Sequence, residues 1–297
     1  MDEAIDWVEV QRCRPPREAN QRALVLVAVG ISARLEPRGG GIGLLVSGHE
    51  ATHARQELVA YDEENVPPVQ VPQTERPFAE GISAAMVFCA VLVFVHAAAS
   101  RQAFSFDWLT AGEAQSGLIK GGEWWRIFTA LTLHADFEHL LGNIGMGALL
   151  GLFVSQVFGA GLTWLAILLA GAAGNGLNAL LHPAAHTSIG ASTAVFAALG
   201  ILTAQALTRR RSPWTRGLRR WLPLAGGMTL LFFLGLGGER TDVGAHFAGF
   251  FAGGLSGLGL TALGSRIPQG KVAQYAFGGI AMGLLVLAWS LAFATAG

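Results

Sequence analysis

Residues 139–208 contain no Asp, Glu, Lys or Arg. The run is roughly 70 residues long, room for two or three transmembrane helices at about 20 residues each. A backbone in lipid must satisfy its own hydrogen bonds, which restricts such a run to helices. The chain as a whole agrees: 52% of its residues are hydrophobic and only 13% charged, and 40 of the 297 are glycine, a composition expected of a multi-span membrane protein. A net charge of +0 argues against nucleic acid as a partner. Yet His139, Asn143 and Ser192 lie inside the uncharged run and His246 lies in a later apolar segment. Polar side chains at membrane depth are costly and mark functional sites by default.

The N-terminal part reads differently. Residues 1–66 form a small soluble α+β domain, with a strand over 7–13, a helix over 17–30 ending at Gly30, a pair of strands over 31–35 and 42–46, and a helix over 51–61. Residues 67–78 are Pro-rich and polar and read as a linker. The first 20 residues are polar, so no cleavable signal peptide is expected. Cys13 and Cys89 stand in unlike contexts, one polar and one apolar, and no disulfide is expected between them. Apolar spans follow at about 82–99, 140–158, 162–181, 191–207, 222–236, 245–263 and 275–295, giving about seven. The long connection 100–136 carries Trp108, Trp124 and Trp125, residues suited to a membrane interface. Arg209, Arg210, Arg211, Arg216, Arg219 and Arg220 share one loop that has no acid. By the positive-inside rule that loop is cytoplasmic, as is the N-terminal domain, while the start of the Ser192 span faces outward.

His139 and Asn143 are four residues apart and share a helix face, with His134 in the loop just before. Ser192, in Gly190-Ala191-Ser192, lies where a helix-breaking loop enters a span. A serine there has free backbone N–H groups beside it that can hold an oxyanion. Gly249, Gly253 and Gly257 form a smooth stripe that lets a neighbouring helix approach, and His246 is aligned with it. If that neighbour carries Ser192, His246 can take its proton, the pairing needed for acyl transfer. Blander alternatives stand beside each residue: interhelical hydrogen bonds for His134, His139 and Asn143, a back-bonded hydroxyl for Ser192, a carbonyl-bonded neutral imidazole for His246. No metal or cofactor is expected, because no carboxylate lies within the spans near the histidines. Asp242 is expected to be a solvated loop charge, and His182 and His186 loop histidines.

Together His134-x4-His139-x3-Asn143, Gly190-Ala191-Ser192, Ala245-His246-x2-Gly249 and the Trp125-Arg126 pair resemble the rhomboid family of intramembrane serine proteases, across about residues 78–263. The resemblance implies an all-α polytopic bundle, with a six-helix catalytic core over 79–264, an additional C-terminal helix over 265–297 and the small cytosolic α+β domain in front. It implies a serine endopeptidase of the cell membrane that cuts transmembrane segments near the outer face. Ser192 would be the nucleophile, His246 the base, and His139, Asn143 and the Ser192 N–H the oxyanion hole. His134, Arg126, Gly190, Phe196 and Gly249 would support them. The partner of the N-terminal domain does not follow from it.

Three positions depart from the family's pattern. Thr193 stands where it usually has Gly, and its β-branch is expected to crowd the oxyanion site. Phe196 replaces a Tyr and keeps the ring. Ser155 stands where a Glu usually pairs with the loop Arg, so Arg126 is expected to lack that usual partner. The competing readings are an inactive rhomboid-like protein that binds or escorts other spans, and a transporter; no charged residue within a span supports the latter.

Overall fold

The computed structural model describes residues 6–65, 78–208, 221–235 and 242–296. The chain divides into two compact units, 1–72 and 73–297.

In the first unit the element order is β1 (Trp7–Cys13), α1 (Pro16–Ala28), β2 (Ala33–Arg38), β3 (Gly41–Ser47) and α2 (Ala51–Glu64). This is the β-α-β-β-α order expected from the sequence. The sheet is antiparallel with order β1-β3-β2. β3 takes the centre because Leu44, Leu45 and Val46 are apolar in unbroken succession and all buried, whereas the flanking strands carry charge. Pro37 has no N–H to give to a ladder and is tolerated on the edge strand β2. Leu44 and Val46 point the same way and pack with Leu26 of α1 and Ala54 and Leu58 of α2. Arg22 joins the helices through Glu18 and Asp62.

Among the described residues the second unit has seven apolar helices: α3 (Phe78–Ser100), then after the connection α7 (Phe137–Phe158), α8 (Ala160–Leu181), α9 (Ser192–Thr208), α10 (Leu222–Gly235), α11 (Val243–Leu263) and α12 (Lys271–Ala296). Five of these, α3, α7, α8, α11 and α12, are long and apolar enough to cross a membrane, and α9 and α10 are shorter apolar helices. α9 is the most enclosed, with nearly every residue from Thr193 to Ala204 buried. The basic loop 209–220 lies outside the described residues.

The connection holds more structure than its sequence suggests. It contains α4 (Trp108–Gly112), β4 (Ala114–Gln115), α5 (Ser116–Lys120) and α6 (Arg126–Thr129). β4 pairs antiparallel with β5 (Thr187–Ser188), in the loop before Ser192. Of its tryptophans only Trp124 is exposed. Trp108 packs on Trp289 and Phe293 of α12, and Trp125 is buried against the core. The expected row of interfacial tryptophans is thereby corrected.

α12 is bound to the rest of this unit through buried polar contacts. Gln274 Oε1 accepts from the Leu162 N–H at 3.0 Å and its Nε2 donates to the Phe158 carbonyl at 3.3 Å. It thus satisfies backbone groups left open where α7 ends and α8 begins. Trp289 Nε1 donates to Thr132 Oγ1 at 3.1 Å.

Candidate active site

Ser192 begins α9 because the backbone just before it cannot be helical. Gly190 has φ +126°, a conformation that only glycine adopts without strain. Its N–H donates to the Ala130 carbonyl at 2.9 Å. The Ala191 N–H donates to His134 Nε2 at 3.4 Å. Upstream, the Ser116 and Gly117 N–H groups donate to the carbonyls of His186 and Ala184, each at 2.9 Å, and β4–β5 continues the attachment. The segment that presents the serine is therefore tied to the 101–136 connection along its length.

His134 is buried. Burial, with the neighbouring His139 adding to it, drives its pKa down to about 3. A neutral ring has one lone pair, and the Ala191 N–H faces it. His134 thus acts as a backbone anchor for the serine's turn. Its ring meets His139 edge-on, with centroids 5.1 Å apart.

Asp136 caps α7 by accepting from the His139 N–H at 2.8 Å, which fixes the helix start so that His139 faces Gly190. A Cβ at Gly190 would stand 2.8 Å from His139 Cε1 and Nε2 and 3.6 Å from Ser192 Oγ. The imidazole and the hydroxyl therefore border one small space that exists because residue 190 has no side chain. Asn143 is buried one turn further on, and its Nδ2 donates to the His139 carbonyl at 3.0 Å. An amide nitrogen carries two hydrogens, so that bond leaves a second for another acceptor.

His246 is buried and lies on the Phe196 ring, centroids 4.4 Å apart and tilted by 38°. Phe196 is one turn after Ser192 on α9, so the imidazole lies beside the helix turn that starts at the serine. The glycine stripe makes this closeness possible. A Cβ at Gly249 would run into the Thr193 carbonyl, one at Gly253 into that of Ala197, and one at Gly257 would stand 2.8 Å from that of Ile201. Each of these three glycines meets a residue of α9 spaced by the same four, as expected of small-residue helix packing.

The three departures from the family pattern resolve as follows. The Thr193 methyl stands 2.8 Å from where a Gly174 Cβ would be and 3.0 Å from where a Gly249 Cβ would be. It fills the junction of α8 and α11 rather than the space at Gly190, which corrects the expected crowding. Phe196 keeps its ring on the histidine. Arg126 is not partnerless: its Nε donates to Glu123 Oε2 at 2.7 Å, and its Nη1 to the carbonyls of Thr110 and Glu113 at 2.9 and 3.0 Å. Ser155 instead donates to the Gly151 carbonyl in its own helix.

Asp242 is also corrected. It caps α11 by accepting from the Ala245 N–H with Oδ1 at 3.0 Å. Oδ2 accepts from Asn178 Nδ2 at 2.7 Å and His186 Nε2 at 2.8 Å. Burial raises its pKa, but the hydrogen bonds from Ala245, His186, Ser188 and Asn178 outweigh it and hold the carboxyl below its ordinary value. It is a bound carboxylate, not a solvated one. His182 stacks on His186 with centroids 4.2 Å apart, so the loop histidines do have a carboxylate neighbour. Only the four-residue step from Asp242 to His246 hinted at this. Asn178 and His186 are 64 and 56 positions away.

Residues 121–263 match the family model described as Rhomboid domain. The chain belongs to the rhomboid family. All the site residues named above from Arg126 to Gly249 fall inside this rhomboid match. The N-terminal unit, α3 and α12 fall outside it. Among curated relatives, rhomboid protease GluP of Bacillus subtilis (strain 168) is 31% identical over 153 residues, which is 50% of this chain and 29% of that one. RHOMBOID-like protein 1 of Arabidopsis thaliana is 32% identical over 148 residues, 48% of this chain and 36% of that one. The putative rhomboid protease YdcA of Bacillus subtilis (strain 168) is 27% identical over 137 residues, 46% of this chain and 67% of that one. The match to GluP and RHOMBOID-like protein 1 spans well under half the length of either relative.

Proposed function

We propose that this rhomboid is an intramembrane serine endopeptidase, with Ser192 as nucleophile and His246 as general base. The observation that carries the reading is the space at Gly190. It is bordered by the His139 imidazole and the Ser192 hydroxyl, at a helix start whose N–H groups are available to an oxyanion, and His246 of α11 packs on Phe196, one turn along that helix.

In the proposed reaction His246 removes the Ser192 Oγ proton as Oγ bonds to the scissile carbonyl carbon. The carbonyl oxygen takes the negative charge and is held by the Ser192 N–H, His139 and the second N–H of Asn143. Collapse of the tetrahedral intermediate breaks the C–N bond, and His246 returns the proton to the leaving amine. Water, deprotonated by the same histidine, then cleaves the acyl-enzyme. Removing one oxyanion donor costs on the order of 100- to 1,000-fold in rate. Gly190 and His134 shape the segment, Phe196 and Gly249 position His246, and Arg126 holds the connection.

Substrates are transmembrane segments that enter from the bilayer. Residues 1–66 serve as a separate soluble module, 67–78 as its linker, 79–264 as the six-helix core and 265–297 as the added helix. The protein is a multi-pass one of the cell membrane, with the N-terminus cytoplasmic and the site toward the outer face. The basic loop 209–220 supports that orientation. The inactive-escort alternative drew on Thr193 and Phe196, and neither position supports it once the methyl is in the α8–α11 junction and the ring is on His246.

The test is a fluorophosphonate probe on purified protein, followed by cleavage of a model transmembrane substrate. Labelling at Ser192 that disappears in His246→Ala supports the assignment. Substrate cleavage that survives Ser192→Ala overturns it.

A further inference from the structure

His182, His186 and Asp242 each offer a ligand atom, and these atoms lie within 4.8 Å of one another. They come from three places: the end of α8, the loop that leads to Ser192, and the cap of the helix that carries His246. Two imidazoles and a carboxylate, with room for water as a fourth ligand, make a donor set that zinc takes in tetrahedral geometry.

The surroundings are arranged as they are around a metal ligand. His182 Nδ1 donates to the Asn178 carbonyl at 2.9 Å. A carbonyl only accepts, so the hydrogen is on Nδ1 and a neutral ring presents the Nε2 lone pair. Metal-bound histidines are held in this way, the second ring nitrogen donating to a backbone carbonyl or carboxylate. Asn178 Nδ2 donates to Asp242 Oδ2 at 2.7 Å, which fixes the amide's orientation. Its Oδ1 is then left buried, with no hydrogen-bond donor among the described residues. A water on a metal ion would supply that donor. Gly244 keeps the space open: a Cβ there would stand 2.7 Å from Asn178 Oδ1, 2.8 Å from His182 Cε1 and 3.3 Å from Asp242 Oδ1. All three ligand residues are half-buried, so an ion can enter from solvent.

We propose that His182, His186 and Asp242 bind one divalent transition-metal ion of the zinc class, with Asn178 holding the metal-bound water. Ligand atoms around zinc at about 2.0–2.2 Å stand roughly 3.4 Å apart in a tetrahedron, so His186 Nε2 and Asp242 Oδ2, now 2.8 Å apart, have to open slightly, and any wider pair closes from no more than 4.8 Å. The ion replaces the hydrogen between His186 Nε2 and Asp242, and that hydrogen moves to Nδ1 of the same ring. A bound ion ties the end of α8, the serine loop and the start of α11 into one block. The three ligand residues are not those of the proposed Ser192–His246 pair, and the test does not depend on proteolysis.

The experiment uses full-length protein in detergent, purified on a tag without histidine. Zn²⁺ is titrated against a chromophoric chelator, and thermal unfolding is followed with and without the ion. One Zn²⁺ per chain is expected, with a midpoint that rises as Zn²⁺ is added. His182→Gln with His186→Gln abolishes both effects, and Asn178→Ala weakens binding by about 10- to 100-fold. Asp242→Asn keeps a capping side chain and shows that lost binding is not lost folding. His139→Ala binds as the wild type does. Zn²⁺ that binds the double variant as tightly as the wild type, or that leaves the wild-type midpoint unmoved, overturns the proposal.

Discussion

The imidazole of His246 lies against the ring of Phe196, the centroids 4.4 Å apart and the planes tilted by 38°. The ring is buried on α9 one turn beyond Ser192, so it sets how far His246 can swing toward or away from the hydroxyl. Phe196→Tyr keeps the platform and is expected to label with fluorophosphonate at close to the wild-type rate. Phe196→Ala removes it, and because a misplacement of about 1 Å can cost ~100-fold, its rate should fall by at least 10-fold. Labelling rates on folded protein check both.

Gly190 is under a double constraint. Its φ of +126° disfavours any L side chain, and the place of a Cβ is 2.8 Å from two atoms of His139. Gly190→Ala should push the imidazole aside and cost on the order of 100-fold or more, the scale of a lost oxyanion donor. The His139→Ala variant should lose a similar amount, and the double variant little more than either alone, since both remove one interaction. Full additivity in that cycle would mean that the two residues act separately.

Arg126 is 5% exposed and makes three hydrogen bonds, one of them to a carboxylate. Arg126→Ala leaves the carbonyls of Thr110 and Glu113 without that donor and is expected to cost about 1–3 kcal/mol, since Glu123, 28% exposed, can return to water. Arg126→Lys should fall between, because one ammonium cannot match the spread of the guanidinium. Ser155→Ala should be nearly neutral, since among the described residues that hydroxyl bonds just to the Gly151 carbonyl of its own helix. Chemical denaturation in mixed micelles measures all three.

The spans and the glycine stripe were legible because lipid imposes the same requirement on every residue of a helix, and a four-residue repeat of glycine has few other uses. The strand-helix order of the first unit was legible for a similar reason: alternation and helical period are local. The connection was not. α4, α5 and α6 have four or five residues each, too few to show a period, and β4–β5 joins two residues to two others far along the chain. Arg126 was expected to lack its usual partner because position 155 is a serine, and it has Glu123 three residues back instead. The partners of Asp242 are more distant still, and nothing near it in sequence announces Asn178 or His186. Trp108 and Trp125 looked interfacial because α12, which buries the first of them, lies more than 150 residues downstream.

Thr193 separates two accounts of the site. If a β-branched residue after the serine restrained the nucleophile, Thr193→Gly would raise the rate. The structure directs the methyl elsewhere, into the meeting point of Gly174 on α8 and Gly249 on α11, with the residue 2% exposed. Removing it opens a void where three helices touch, and placing glycine in the helix costs up to about 1 kcal/mol relative to alanine. The loosened junction carries Gly249, on the same helix turn as His246. Thr193→Gly is therefore expected to lower the thermal midpoint and to leave the labelling rate unchanged or reduced, whereas Thr193→Val, which keeps the branch and loses the hydroxyl, should label as the wild type does. Labelling of Thr193→Gly that is 10-fold faster, with its midpoint unchanged, would show that the side chain restrains Ser192 after all.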